Sequence, residues 1–255
     1  MHAEDYEHLY ALEENFWWFA GMRDVTAALL DSLCPPGRDR VILDAGCGTG
    51  SNLKWLRRYV ARGSVFGIDN SADALHFCKA RGEEVLAFAS VTALPFSHGR
   101  FDLVTSFDVL AQLSREAGKD AVREMFRVMR PGGIAFVRTA AYEWMRSGHD
   151  QALGTQSRYS LAALRSLLTS EGFIPMRVTY ANTLLLPAAA FRRLVLKPIR
   201  LVDSGSDVKP LAPQLRWLNT GFQFALNMEA GWLRATHVNL PVGLSAICIA
   251  QKPVD

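Results

Sequence analysis

The sequence predicts an α/β protein built on a doubly wound, mainly parallel sheet, and three observations carry that expectation. Short apolar runs of strand length alternate with segments of helical periodicity. The first apolar run, Val41 to Leu43, leads straight into a glycine-rich stretch, Asp44 to Gly50. The second, Val65 to Ile68, ends on an acid, Asp69, 25 residues after Asp44.

The elements follow in order. From Tyr6 to Leu33 the apolar positions Leu9, Leu12, Phe16 and Phe19, then Val25, Leu29 and Leu30, recur at three- and four-residue steps. They predict two amphipathic helices broken near Gly21 and ended by Pro35-Pro36-Gly37. After the first strand and its loop, Leu53, Leu56 and Tyr59 mark a helix, and another runs from Ala72 to Arg81. Val85 to Ala89 is the third predicted strand and Phe101 to Phe107 the fourth. A helix from Asp120 to Met129 stops at Arg130-Pro131-Gly132-Gly133, and Ile134 to Arg138 forms the fifth strand. Leu161 to Glu171 is helical with Gly172 at its end, Phe173 to Tyr180 is the sixth strand, and Gly243 to Ala250 the last. The expected organisation is an N-terminal helical cap over residues 1–40, a core over 41–180, a helical insertion over 181–239, and a return to the core over 240–255.

Composition excludes several classes. Hydrophobic residues make up 49% and charged residues 21% of 255, which places the chain among globular proteins rather than disordered ones. Twenty-eight Lys and Arg against 25 Asp and Glu leave +3, too little to imply a nucleic-acid partner. The charge is uneven, about −3 up to Arg130 and +6 beyond it. Cys34, Cys47, Cys78 and Cys248 are scattered, with no paired spacing or histidine cluster, so neither a disulfide framework nor a metal site is expected and a cytoplasmic location fits. The acidic first 30 residues lack the basic start of a signal peptide, and no apolar run approaches transmembrane length.

The glycines at 46, 48 and 50 lack the G-x-G-x-x-G spacing of a dinucleotide site, because Ser51 stands where the third would fall, and this weakens a nicotinamide oxidoreductase reading. With LDAGCGTG at 43–50, GID ending at Asp69, LPF at 94–96, FDLV at 101–104 and RVMRPGG at 127–133, the chain resembles the class I S-adenosylmethionine-dependent methyltransferases. WWFAGMR at 17–23 and GHDQALGTQSRYS at 148–160 are similar to a type 11-like bacterial branch linked to sugar, lipid and secondary-metabolite methylation. The resemblance implies a Rossmann-like, seven-stranded sheet with an antiparallel last strand and S-adenosylmethionine at the carboxyl ends of the first strands.

Position by position, the resemblance places Asp44, Gly46 and Gly48 around the methionyl part of the cofactor, with Cys47 packed under the turn. Asp69 would hold the ribose hydroxyls, Asn70 would flank the adenine, and the Phe107 carbonyl would take the ammonium; the backbone N–H of Val91 is a candidate companion contact to the adenine. Two positions depart from the pattern: Ser90 stands where an Asp usually meets the adenine amino group, and Gln112 replaces a usual His. Trp17, Trp18 and Phe19 are candidate caps on the cleft, with Arg23 against the cofactor carboxylate. His149 and Asp150 are candidate bases, and Arg158 and Tyr159 candidate acceptor contacts. The expected reaction is methylation of a small-molecule acceptor, at oxygen before nitrogen or carbon, by a monomer or homodimer. Ser106-Phe107-Asp108-Val109 lacks the Pro-Pro-aromatic clamp of nucleic-acid amino-methyltransferases. A catalytically silent scaffold is the alternative that Ser90 and Gln112 suggest.

The insertion carries its own expectation. Leu184 to Arg200 combines leucines with Arg192, Arg193, Lys197 and Arg200 and no acid, which leaves room for a peripheral membrane contact. Leu215, Leu218, Phe222, Leu226 and Leu233 recur at helical steps, so residues 184–236 are expected to form a lid over the acceptor side.

Overall fold

A computed structural model of the chain describes residues 3–14, 16–146, 148, 150, 154–193, 216–236 and 238–254. The elements are α1 (Ala3–Leu12), α2 (Trp17–Leu30), β1 (Arg38–Ala45), α3 (Ser51–Leu56), β2 (Val60–Asp69), α4 (Ala72–Ala80), β3 (Leu86–Phe88), β4 (Phe101–Phe107), α5 (Arg115–Val128) and β5 (Met129–Ala140). They continue with α6 (Leu161–Ser170), β6 (Ile174–Ala181), α7 (Leu186–Phe191), α8 (Arg216–Thr236) and β7 (Ser245–Gln251). The strands form one seven-stranded sheet in the order β3-β2-β1-β4-β5-β7-β6. β1 pairs in parallel with β2 and β4 (Leu43 against Phe66 and Val104), and β4 with β5 (Val104 against Ala135). β7 runs antiparallel between β5 and β6, with Cys248 opposite Val137 and Val178. Strand order reverses between β1 and β4, so the carboxyl ends of those strands open on a crevice where ligands bind in such sheets.

Helices cover both faces, which is why the central strands read as continuous apolar runs. Successive side chains of β1 enter opposite cores: Leu43 belongs to the one that holds Val104, Met125 and Leu168, and Ile42 to the one that holds Val25, Leu53, Leu226 and Ile249. Ser71, Ser114 and Ser160 cap α4, α5 and α6 by accepting the backbone N–H of Ala74, Ala117 and Ala163.

The N-terminal helices depart from the expected break at Gly21. The chain breaks between Leu12 and Trp17, and α2 runs through Gly21 unbroken. The glycine serves a close helix crossing: a Cβ there would lie 2.4 Å from Leu226 Cδ1 on α8. α8 lies along α2, burying Leu226, Glu229, Ala230 and Leu233. Among the described residues no helix is long and apolar enough to cross a membrane.

Candidate functional site

A cavity of about 550 Å³ opens at the carboxyl ends of β1, β2, β4 and β5. Its floor begins at the loop after β1. The N–H groups of Gly46 and Cys47 donate to the Ile68 carbonyl at 3.0 and 2.8 Å, latching that loop to β2. Gly46 has φ +87°, and a Cβ on it would lie 2.3 Å from Val109 Cγ2. Gly48 has φ +54°, and a Cβ on it would meet no protein atom within 4 Å, so the backbone there is bare toward the space beside it. Asp69 holds the loop from below: its Oδ2 accepts the Gly48 N–H and its Oδ1 the Ser71 N–H, each at 3.0 Å. Burial pushes the Asp69 carboxyl up, against the pull of those hydrogen bonds.

Of the residues expected at the cofactor, Trp17, Arg23, Gly46, Cys47, Gly48, Asp69, Asn70, Ser90, Val91, Phe107 and Gln112 line this one cavity. Asp44 does not line it. It is fully buried beneath the loop, where its Oδ1 accepts from the Thr105 hydroxyl at 2.7 Å and its Oδ2 has no partner. Burial pushes its carboxyl up to about 7. Ser90 is already occupied locally, since its Oγ accepts the Thr92 N–H at 3.2 Å and lies 2.8 Å from Thr92 Oγ1. Arg23 Nη1 donates to Ser51 Oγ at 3.1 Å, which holds its guanidinium against the glycine loop. Cys47 Sγ lies 3.8 Å from Cys78 Sγ under the turn, and that neighbour, with burial, holds its thiol well above the usual range.

The expected acceptor-side residues separate. His149 lies outside the described residues. Asp150 is a correction: it is buried away from the cavity, and its Oδ1 accepts from Arg158 Nε at 2.7 Å. Arg158 does line the cavity, but its Nη1 also donates to the Ala141 carbonyl at 2.6 Å, so this guanidinium ties the segment after β5 back to the strand. Tyr159 is the second correction. It is a core side chain with the Arg115 guanidinium 4.0 Å above its ring, and it does not reach the cavity.

Asp108, Arg138 and Glu13 also line the cavity and were not picked out in the sequence. Asp108, at φ +64°, follows β4 and accepts from Arg138 Nε and Nη2 at 3.0 and 2.6 Å. Arg138 is buried, with Trp18 and Phe107 rings 5.0 and 5.1 Å from its guanidinium carbon. Both sit at carboxyl ends of buried strands, a position that could have flagged them. Glu13 accepts from the Thr49 hydroxyl and from Arg81 Nη2, and so joins α1 to the glycine loop. Nothing in its local sequence marks that role. α7 contributes Ala188 and Ala189, followed by Arg192 and Arg193, while α8 contributes Phe222, whose ring lies 5.0 Å from that of Trp17.

The arrangement fits S-adenosylmethionine. The bare backbone at Gly48 admits a ligand at contact distance, and the unpartnered Asp44 oxygen beneath it matches a cationic group above.

A family model described as a methyltransferase domain matches residues 43–137. A probable S-adenosylmethionine-dependent methyltransferase of Mycolicibacterium smegmatis is 32% identical over 164 residues, covering 63% of this chain and 60% of the relative. A tRNA (carboxymethyluridine(34)-5-O)-methyltransferase of Arabidopsis thaliana is 39% identical over 120 residues, covering 46% of this chain and 27% of the relative. The chain thus spans less than two thirds of the length of either. The structure of phosphoethanolamine N-methyltransferase 2 of Haemonchus contortus with S-adenosyl-L-methionine superposes with a TM-score of 0.61 at 16% identity, over 99% of this chain and 57% of that one, a likeness of fold. The strand order, the glycine loop and the matched domain together make residues 43–137 a methyltransferase domain of the class I, S-adenosylmethionine-dependent kind.

Proposed function

We propose that the chain transfers a methyl group from S-adenosylmethionine to an oxygen of a small-molecule acceptor. The observation that carries this reading is one continuous cavity. The glycine loop, Asp69 and Asn70 line it together with Trp17, Trp18, Phe222, Arg138 and residues of α7. When bound, the cofactor supplies an electrophilic methyl group. Asp69 holds the ribose diol, Asn70 and Val91 flank the adenine, and Gly46 and Gly48 pass the methionyl chain, with Asp44 as the buried countercharge below.

Oxygen is favoured by charge. Arg192 and Arg193 line the cavity beside the Arg138–Asp108 pair, and guanidinium groups near the acceptor lower the pKa of an acidic hydroxyl or carboxyl while disfavouring a protonated amine. An acceptor oxygen that ionises this way needs no strong base, and alignment for in-line displacement supplies much of the rate. Asp150, held by Arg158, is therefore not required as a base. The Arabidopsis relative's tRNA acceptor is not carried over, because that match covers 46% of this chain.

The test is incubation with methyl-tritiated cofactor and, in parallel, a small-molecule extract, total RNA and total protein from one cell lysate. Label is expected in the small-molecule fraction. Label confined to RNA or protein would overturn the acceptor class, and cofactor binding with no label in any fraction would favour a silent scaffold.

A further inference from the structure

Asn182, just past the end of β6, stands in the cavity wall with an idle side chain. It is 2% exposed, its Oδ1 is buried without a partner, and no described residue hydrogen-bonds its carboxamide. The other buried side-chain oxygens left unpaired among the described residues belong to Asp44, Thr139, Tyr159 and Asn219, none of which lines the cavity. An unpaired buried amide is costly, and one that borders a cavity calls for a partner that arrives with a ligand.

The backbone at this point is as fixed as the side chain is free. The Asn182 N–H donates to Glu229 Oε1 at 2.5 Å, and its carbonyl accepts the Leu244 N–H at 3.4 Å. Its φ is +62°, a conformation that glycine adopts without penalty and asparagine tolerates. Glycine would serve the turn at least as well, so what asparagine adds is the carboxamide. Its χ2 torsion is broad, which lets it turn either its oxygen or its N–H groups to a ligand.

Ser245 stands beside it. The register pairs Ala181, the residue before Asn182, with Ser245, and Ser245 with Ala140 of β5. Ser245 is also buried and lines the cavity, and its hydroxyl has no partner among the described residues. In the sheet, β7 and β6 lie two and three strands beyond β4, roughly 10 and 14 Å at ordinary strand spacing, on the side away from β1 and β2. A cofactor on the glycine loop and Asp69 therefore leaves Asn182 and Ser245 to the acceptor. A carboxylate here would leave the buried Oδ1 without a donor, and an ammonium would leave the amide N–H groups without an acceptor. A neutral group that both gives and takes a hydrogen bond satisfies both.

We propose that Asn182, assisted by Ser245, determines acceptor specificity by binding a neutral hydroxyl or amide group remote from the oxygen that is methylated. This rests on the methyl-transfer reading above and narrows its acceptor to a bifunctional molecule. One oxygen ionises beside the guanidinium groups, and the neutral group is held near the end of β6, roughly 10 Å of sheet from β5.

The experiment compares the full chain with Asn182→Gly, which keeps the positive φ, and with Ser245→Ala. Label transfer from methyl-tritiated cofactor into a small-molecule extract is measured over a range of extract concentrations, beside S-adenosylhomocysteine calorimetry and thermal denaturation. At limiting extract the rate should fall at least about fivefold in Asn182→Gly and by less in Ser245→Ala, the scale of one or two lost hydrogen bonds. At saturating extract the loss should shrink, while cofactor-product affinity and melting temperature stay those of the parent. Equal rates in all three proteins would overturn the proposal. So would a fall in S-adenosylhomocysteine affinity or melting temperature that matches the fall in rate, since the side chain would then serve the cofactor or the fold. If the parent transfers no label, saturation-transfer NMR of methyl glucoside, N-methylacetamide and sodium acetate with the S-adenosylhomocysteine-saturated chain decides the matter. Signals of the first two that vanish in Asn182→Gly would leave the recognition point standing and refute only the activity, and signals indifferent to residue 182 would refute both.

Discussion

The carboxylate of Glu229, buried on α8, accepts the backbone N–H of Asn182 at 2.5 Å and those of Thr183 and Leu184 at 2.7 and 3.4 Å. Asn182 sits at φ +62° just past β6 and lines the cavity. One carboxylate thus fixes both the turn that leaves the sheet and the helix that lies along α2. Burial pushes Glu229 up, and the three N–H donors oppose that shift.

Glu229→Ala should therefore strip the acceptor from three N–H groups at once, two of them close. We expect a loss of about 2 to 4 kcal/mol in unfolding free energy, given 1.5 to 3 for a hydrogen bond to a charged group and incomplete additivity. Urea denaturation read by far-UV circular dichroism measures it. A loss under about 0.5 kcal/mol would mean that water replaces the carboxylate readily.

Gly21→Ala tests the helix crossing. Its Cβ would lie 2.4 Å from Leu226 Cδ1 and 2.7 Å from Leu226 Cβ, so α2 and α8 must part. Overpacking of this kind costs about 1 to 3 kcal/mol, although alanine is the better helix former at an open site. A stabilised variant in thermal denaturation would show that the helices are not in contact there.

Asp69→Ala removes the acceptor for the Gly48 and Ser71 N–H groups and, in our reading, for the ribose diol. S-adenosylhomocysteine affinity should fall at least about fivefold in calorimetry, the scale of 1 to 3 kcal/mol for an unpaired buried polar group. Unchanged affinity would remove Asp69 from the site.

Ser90→Asp should tighten cofactor binding if residue 90 faces the adenine edge. The carboxylate can still accept the Thr92 N–H that Ser90 holds now, and it adds a charged acceptor at the cavity wall. Weaker binding in the same titration would show that a different group meets the adenine.

Asp44 gives a dependence on pH. Its folded pKa, about 7, lies above the ordinary carboxylate value, so the folded state binds the extra proton between about pH 4 and 7. Its contribution to stability is present at low pH and declines as pH rises through that window, by roughly 1 kcal/mol per unit. Asp44→Asn should flatten this part of the stability profile of the ligand-free protein, measured by urea midpoints from pH 5 to 8. A variant as pH-dependent as the parent would place the titration elsewhere.

Much of this fold was legible because its signals are local. Phe101–Phe107 was read at the bounds it has, and the serines ahead of α4, α5 and α6 stand where a cap belongs. The glycine loop announced a backbone that must approach a ligand, and Gly46 and Gly48 do hold positive φ. What escaped was set by partners distant in sequence. Gly21 looked like a helix break because Leu226, over 200 residues away, gives it its reason. Asp150 is a candidate base in the sequence, where nothing nearby shows that Arg158 buries it in an ion pair. Tyr159 is a candidate contact only because it lies in the resembling segment 148–160, whereas a bridge between Ala141 and Tyr159 folds it under Arg115. Glu13 went unnoticed because its partners, Thr49 and Arg81, come from two other elements.

The most direct measurement is one calorimetric titration of the purified chain with S-adenosylhomocysteine, repeated with NADH. A cavity built on Gly46, Gly48 and Asp69 should take up S-adenosylhomocysteine saturably, one per chain, and show no heat of binding with NADH. Saturable binding of NADH, or no binding of S-adenosylhomocysteine, would contradict the account.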